Sequence, residues 1–333
     1  MALASGAPTP VERFDALGGR DASLWVKRDD LVSLLYGGNK VRKLEHLLAD
    51  ARARGKTRLV TLGAAGSHQV IATVIYGALA GFDEVEAVLV PQPSTPHARL
   101  NLRVALAQGL HAIPSPTWAL APLILATRFG RDAYPIPLGG SNPFGTLGFV
   151  DAARELVAQI AAGVLPEPDV VVVAMGSGGT AAGLAVGFEE AGLRTRVVGV
   201  AVSRPALLLG LMSQRLARRT AAMIGLDRKK ASRAAMRIEV DGKWIGRGYG
   251  YSTRKGDAAT ADAARVGLVL DATYTAKAFA CALARVHDAM NQGDSRCVLY
   301  WHTLSTRPLE PLLHTAEGEG YTPIPKRLER LLR

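Results

Sequence analysis

The stretch DVVVVAMGSGGTAAGLAVGFEEAG, Asp169–Gly192, decides the fold. It opens on a valine run that is β-branched and too short for a helix, which reads as a buried strand. Gly176, Ser177, Gly178 and Gly179 then turn the chain, and a helix pattern follows. Strand, glycine turn and helix form the building unit of an α/β protein with a parallel sheet. Successive glycines also expose backbone N–H groups at a helix start, where the dipole favours anions, so Gly176–Thr180 reads as a phosphate cup. The run fits G-x-G-x-x-A from Gly176 to Ala181, which makes a dinucleotide site an alternative. That alternative wants an acidic residue closing the next strand, whereas RVVGVAVSRP closes on Ser203 and Arg204. Tight strand–helix packing without a ligand is the third reading.

Outward from this stretch the same alternation recurs. TRLVTLG reads as a strand and SHQVIATVIYGALAGF as a helix. VEAVLVP is a strand, PHARLNLRVALAQGL a helix ending near Gly109, and HAIPS a short strand. A helical pattern runs from Trp118 to Arg128. YPIPLGGSNPFGTLG is rich in Gly and Pro and reads as a junction, and FVDAARELVAQIAAG is helical. RVVGVAVS and RCVLYWHT are later strands, and YTPIPKRLERLLR ends the chain as a short helix or tail. No fixed-period repeat or low-complexity linker interrupts the pattern.

Composition bounds the function classes. The chain has 333 residues, 48% hydrophobic and 21% charged, enough for two modest domains with their own cores. No apolar run reaches the roughly eighteen residues of a membrane span. The opening MALASGAPTPVERFDALGG lacks a basic region followed by a sustained apolar core, so the expectation is a cytoplasmic protein. Cys281 and Cys297 are the two cysteines, which excludes a disulfide scaffold or a cysteine zinc cluster. The formal charge of +11 raises nucleic acid as a partner. Its densest run, Arg215–Arg237, carries no aromatic residue for base stacking and reads as a solvated helical face, so no nucleic-acid partner is expected. A basic field also attracts anionic small molecules.

Three further stretches carry chemistry. In LYGGNKVRKLEHLLADA, Leu35–Ala51, Asn39 reads as an N-cap, and Val41, Leu44, Leu48 and Ala51 share one helical face that Gly55 ends. Lys40 then lies in the first turn, where the dipole disfavours a cation, lowers the amine pKa and improves a nucleophile. The plain alternative is an exposed surface lysine. In TLGAAGSHQVIATVIYG, Ser67, His68 and Gln69 open a helix and could hold a carboxylate, or Ser67 is merely a cap. Near the C-terminus, Tyr249 and Tyr274 lie in turn-rich contexts, and Thr303 ends a strand where open α/β sheets place their sites. Each tyrosine could equally be a packing residue.

Together and in order, WVKRDDL, GGNKVRKLE, GAAGSHQ, PLGGSNPFGTLGFV, MGSGGTAAGL, GYG, LDATYTAK and WHT resemble one family, the fold-type II pyridoxal-phosphate enzymes of the D-cysteine desulfhydrase and 1-aminocyclopropane-1-carboxylate (ACC) deaminase group. The resemblance implies a two-domain α/β fold like the tryptophan synthase β chain, with parallel sheets flanked by helices. It implies a larger cofactor-binding domain of residues 1–43 and 152–333, a smaller domain of residues 44–151, and a homodimer. It implies pyridoxal 5'-phosphate as cofactor, bound covalently by Lys40. Asn39, Gly176, Ser177, Gly178, Gly179, Thr180, His68 and Thr303 would help hold it, with Thr303 facing the pyridine nitrogen. Ser67, His68, Gln69, Tyr249 and Thr275 would meet a small amino-acid substrate. Lys40, Ser67, Tyr249 and Tyr274 would carry catalysis. No metal is implied.

Thr275 and Thr303 match the desulfhydrase side of the family. A hydroxyl stabilises a protonated pyridine nitrogen less than a carboxylate, which suits β-elimination, where a leaving group discharges the carbanion at once. The implied reaction is therefore α,β-elimination to a keto acid and ammonia. Ring-opening deamination, β-replacement, racemisation, or a non-catalytic binding role are the rivals. Gly66-Ser67-His68-Gln69, Tyr249-Gly250-Tyr251-Ser252 and His302-Thr303-Leu304-Ser305 depart from the family pattern. The lysine and the phosphate cup do not, which implies a kept cofactor and a substrate other than D-cysteine.

Overall fold

The computed structural model describes residues 3–4, 6–18, 22–203, 205–313 and 323–333. In chain order the elements are β1 (Val11–Arg13), β2 (Ser23–Lys27), α1 (Asn39–Ala53), β3 (Arg58–Ala64), α2 (His68–Leu79), β4 (Glu84–Val90) and α3 (Pro96–Ala107). There follow β5 (His111–Pro114), α4 (Ala121–Ala126), β6 (Ala133–Pro135), α5 (Pro143–Ala161), β7 (Val170–Met175), α6 (Gly179–Glu190) and β8 (Arg196–Ala201). The last are α7 (Ala206–Met223), α8 (Arg228–Met236), β9 (Ile238–Asp241), α9 (Arg254–Arg265), α10 (Thr275–Gln292), β10 (Cys297–Trp301) and α11 (Lys326–Glu329). Arg204, Tyr321 and Thr322, which entered the sequence reading, lie outside the described residues.

The chain divides into two compact units. One comprises residues 4–43 and 141–306 and holds a six-stranded sheet in the order β1-β2-β10-β7-β8-β9. β1 is antiparallel to β2, and every other pairing is parallel. The valine run of β7 is apolar throughout because the sheet is covered on both faces. Val171, Val173 and Met175 pack with Phe149 and Val150 of α5 and Leu184 and Phe188 of α6. Val170, Val172 and Ala174 pack on the other side with Phe279, Leu283 and Val286 of α10. Each such valine, fully buried, contributes about 1.5–3 kcal/mol. Gly183 and Gly187 let α6 approach α5 closely, since a Cβ on them would stand 2.5 Å from Phe149 Cβ and 2.4 Å from Ala153 Cβ.

The other unit holds Leu3, residues 44–140 and the C-terminal segment from residue 307, around a parallel sheet in the order β5-β4-β3-β6. α1 passes from the first unit into the second after Lys43. The units differ from the expected boundaries in three places, the first being Leu3, which lies with the four-stranded sheet and not in the larger unit. Residues 141–151 lie with the six-stranded sheet, because α5 begins at Pro143 and packs along α6. The C-terminal segment lies with the four-stranded sheet, because Gln92 N–H donates to the Leu331 carbonyl and Gln92 pairs with Leu332.

The expected junction YPIPLGGSNPFGTLG is structured at both ends, as β6 and the start of α5. Asn142 caps α5 by accepting from Gly145 N–H at 2.8 Å, with Pro143 in the first turn. α4 is shorter than the expected helix from Trp118, because Pro122 is tolerated only in a first turn. β1, β2 and β9 are additions to the expected strands. The basic run Arg215–Arg237 spans the second half of α7 and all of α8, as a helical face, with Arg233 and Arg237 bonded to Glu189. Among the described residues no helix is long and apolar enough to cross a membrane. Cys281 and Cys297 are free and buried.

Candidate active site

One unit brings together the lysine turn, the glycine cup, the tyrosine pair and Thr303. The turn before α1 is glycine because nothing larger fits. A Cβ on Gly37 would stand 1.9 Å from the Asp30 carbonyl oxygen, and one on Gly38, at φ +83°, 2.6 Å from that of Thr303. Three bonds fix the turn. Gly37 N–H donates to Ser305 Oγ (2.9 Å), Gly38 N–H to the Asp29 carbonyl (2.8 Å), and Asn39 N–H to the Thr303 carbonyl (3.2 Å). Asn39 is the first residue of α1, and its side-chain amide donates to Thr180 Oγ1 at 3.2 Å. Its role is thus to tie the lysine turn to the cup.

A buried ionic network anchors the next turn of the helix. Arg42 forms a two-pronged pair with Asp29 and reaches Glu155 at 2.9 Å, and Lys27 binds Glu155 as well. Trp301 Nε1–H donates to Asp29 at 2.7 Å. WVKRDDL therefore serves to hold the start of α1. Lys40 itself is half-buried, and the loss of water lowers its ammonium to about 8. Burial, rather than the helix dipole expected from the sequence, is the cause.

The cup lies where β7 turns into α6. Gly178, at φ +82°, precedes the helix and offers no side-chain cap, and no acidic residue stands in the first turn. The N–H groups of that turn have no partner within the helix. Ser141 Oγ lies 2.8 Å from Ser177 Oγ and accepts from Gly179 N–H at 3.2 Å. Lys43 Nζ donates to the same Ser141 oxygen at 3.3 Å. A Cβ on Gly179 would stand 2.4 Å from Ser141 Oγ and 3.0 Å from Lys43 Nζ. Lys43 and Ser141 lie within GGNKVRKLE and PLGGSNPFGTLGFV, stretches whose resemblance assigns neither of them a role. The available signal was spacing, since Lys43 follows Lys40 by three residues on one helix face.

Beside the cup, a Cβ on Gly176 would stand 3.1 Å from the Tyr274 ring. Tyr274 Oη donates to Tyr249 Oη at 2.9 Å, with the rings edge to face. Burial pushes both phenols up, and the Asp271 carboxylate adds to this, so both stay protonated near neutrality. Asp271 caps α10, accepting from the N–H groups of Thr273, Tyr274 and Thr275. Thr275 is buried, and its hydroxyl donates to Asp271 at 2.7 Å. The structure thus places Thr275 in the cap, where the resemblance implied a substrate contact. Next to Thr303, His302 is buried and held neutral by that burial, at about 4.

Ser67, His68 and Gln69 belong to the other unit. Ser67 stands at the N-cap position of α2, yet its hydroxyl makes no capping bond. His68 Nε2 lies 3.0 Å from His97 Nε2 of α3, a partner the sequence reading missed. Gln69 is buried, with its amide donating to Thr73 one turn along the helix, so it does not face the helix start.

The sequence pattern of the family described as "Pyridoxal-phosphate dependent enzyme" matches residues 3–301. The chain belongs to this family. It is similar to the D-cysteine desulfhydrase of Yersinia enterocolitica, with 36% identity over 316 residues covering 90% of this chain and 91% of that one. It is similar to the D-cysteine desulfhydrase of Klebsiella pneumoniae, at 36% over 322 residues, 90% and 92%. A crystal structure of an ACC deaminase homologue superposes with a TM-score of 0.73 at 29% identity, over 92% of this chain and 94% of that one. The fold is that of the fold-type II pyridoxal-phosphate enzymes.

The residues present fit that cofactor. The first turn of α6, the two serine hydroxyls and Lys43 converge as donors for a phosphate. Burial and the neighbouring Lys40 charge together hold Lys43 well below its ordinary pKa. A dianion in the cup would oppose both effects.

Proposed function

We propose that the protein catalyses α,β-elimination on a small amino acid, as a pyridoxal-phosphate-dependent lyase of the desulfhydrase type. The observation that carries the reading is the tie between Asn39 and Thr180. It joins the turn bearing a lysine of depressed pKa to a donor-rich anion cradle within one unit.

Ser177–Thr180, Ser141 and Lys43 would hold the phosphate, Thr303 the pyridine nitrogen, and Lys40 the carbonyl carbon. When bound, pyridoxal phosphate supplies the electron sink that stabilises a carbanion at the substrate Cα. The chain's own residues do the rest. Lys40 Nζ, whose ammonium burial lowers to about 8, accepts the proton from Cα in its neutral form. The Tyr249–Tyr274 pair keeps its protons near neutrality and so acts as donor to the departing β-substituent, not as base. The Ser67 hydroxyl, free of a capping bond, is assigned the substrate carboxylate by the resemblance. The released enamine tautomerises to an imine and takes up water, giving the keto acid and ammonia.

His68, paired with His97, lies in the Gly66–Gln69 stretch that departs from the family pattern. On this ground we infer a substrate other than D-cysteine. The compartment inferred from the two free thiols is the cytoplasm, and the resemblance adds a homodimer, which sedimentation velocity tests. The functional experiment is a panel of D- and L-amino acids with ammonia and keto acid measured together. Equimolar release from one of them supports elimination. Racemised or substituted amino acid without ammonia would move the reading to another reaction, and a D-cysteine turnover matching a dedicated desulfhydrase would overturn the substrate inference.

A further inference from the structure

Lys277 lies one turn beyond Tyr274 on α10 and is fully buried, an unusual place for an ammonium. Its Nζ donates to the carbonyl of Ile245 at 3.0 Å and to that of Gly248 at 3.1 Å. Both carbonyls belong to the loop between β9 and α9, which has no regular secondary structure. Gly246, Gly248 and Gly250 all stand at positive φ, so the loop backbone carries little intrinsic preference for one shape. Tyr249 sits within this run, directly after Gly248.

We infer that Lys277 is a positioning residue that fixes the phenol of Tyr249 against that of Tyr274. Positions 274 and 277 share a helix face, so one turn of α10 presents both a phenol and an ammonium to the same loop. The phenol makes the 2.9 Å bond to Tyr249, and the ammonium clamps the backbone just before it. Burial lowers the Lys277 pKa and the Asp271 carboxylate raises it. The charge is costly to bury at a helix N-terminus, and charge-assisted bonds to two carbonyls offset part of that cost. An apolar side chain of similar length would fill the space but release the loop.

The inference rests on the tyrosine pair acting in the proposed elimination, and the test separates the two. Lys277→Met, Tyr249→Phe and the double variant are compared with the parent holoenzyme for kcat and KM, and for the visible band of lysine-bound cofactor. Lys277→Met is expected to keep the band, lower kcat about tenfold or more, and cost less than twofold when Tyr249 is already Phe. Lys277→Arg, which keeps the charge, is expected to recover part of the loss. A readout independent of turnover is nitration of Tyr249 by tetranitromethane, with fragment ions separating it from Tyr251. Nitration is expected to be at least fivefold faster in Lys277→Met. Equal losses from Lys277→Met in both backgrounds, or nitration unchanged in Lys277→Met and Lys277→Arg, would overturn the clamp. If the parent turns over no amino acid, the functional reading fails while nitration still decides the clamp.

Discussion

Lys43 Nζ and Ser141 Oγ meet at 3.3 Å beside the first turn of α6, bringing a buried amine from α1 to the cup that β7 and α6 form. The pair makes the cup a site for an anion. Replacing Lys43 by Met is expected to weaken pyridoxal phosphate binding by about 2 kcal/mol, roughly thirtyfold. Pyridoxal, which lacks the phosphate, should bind both forms alike. Titration of the visible band with each aldehyde measures this, and an equal loss for both would remove Lys43 from the phosphate site.

Gly179 tests the cup from its backbone. Its added methyl would stand 2.4 Å from Ser141 Oγ and 3.0 Å from Lys43 Nζ. Gly179→Ala is expected to weaken cofactor binding by about 2 kcal/mol through crowding. In a Ser141→Ala background the same substitution should cost less, because the nearer obstacle is gone. An equal cost of Gly179→Ala in both backgrounds would mean that the crowding explanation is wrong.

The ionic network under α1 predicts behaviour in acid. Burial raises the Glu155 pKa, but Arg42 and Lys27 outweigh it and hold the group at about 2, below its ordinary 4.5. A depressed carboxyl stabilises the fold fully above about pH 4.5 and loses that contribution as pH falls toward 2. Glu155→Gln is expected to cost about 3 kcal/mol at neutral pH, since it leaves charges buried with fewer partners. Denaturant unfolding should show the difference between parent and variant shrinking as pH falls through that window. A constant difference would remove the pair from the stability of the fold.

Much of this was legible in the sequence. The valine run of β7 and the glycine turn after it gave the parallel sheet, because local pattern and tertiary burial agree there. The placement of Lys40 and Asn39 at the start of α1, and of the glycine turn before α6, followed from spacing and motif. Lys43, Ser141 and Lys277 did not, because their meaning depends on contacts across at least 29 residues of sequence. The local bonds of Thr275 and Gln69 were not legible for a related reason. Each has a local hydrogen-bond partner, Asp271 and Thr73, that competes for its side chain. β1 and β9 span three and four residues and carry too little periodicity to read.

Lys40 also predicts a rate. With its ammonium lowered to about 8, the neutral amine grows with pH through that value. Capture of added pyridoxal phosphate by cofactor-free protein is expected to accelerate about tenfold per pH unit below 8 and to level above it, measured by stopped flow. A rise continuing to pH 10, as for an ordinary lysine, would mean the amine is not desolvated.

The most direct test is a visible absorption spectrum of the purified protein and of Lys40→Ala, each with added pyridoxal phosphate. A yellow band in the parent that borohydride fixes to the peptide containing Lys40, and that Lys40→Ala lacks, is the predicted result. The same band in Lys40→Ala, or none in either protein, would contradict the assignment of Lys40 as the cofactor lysine.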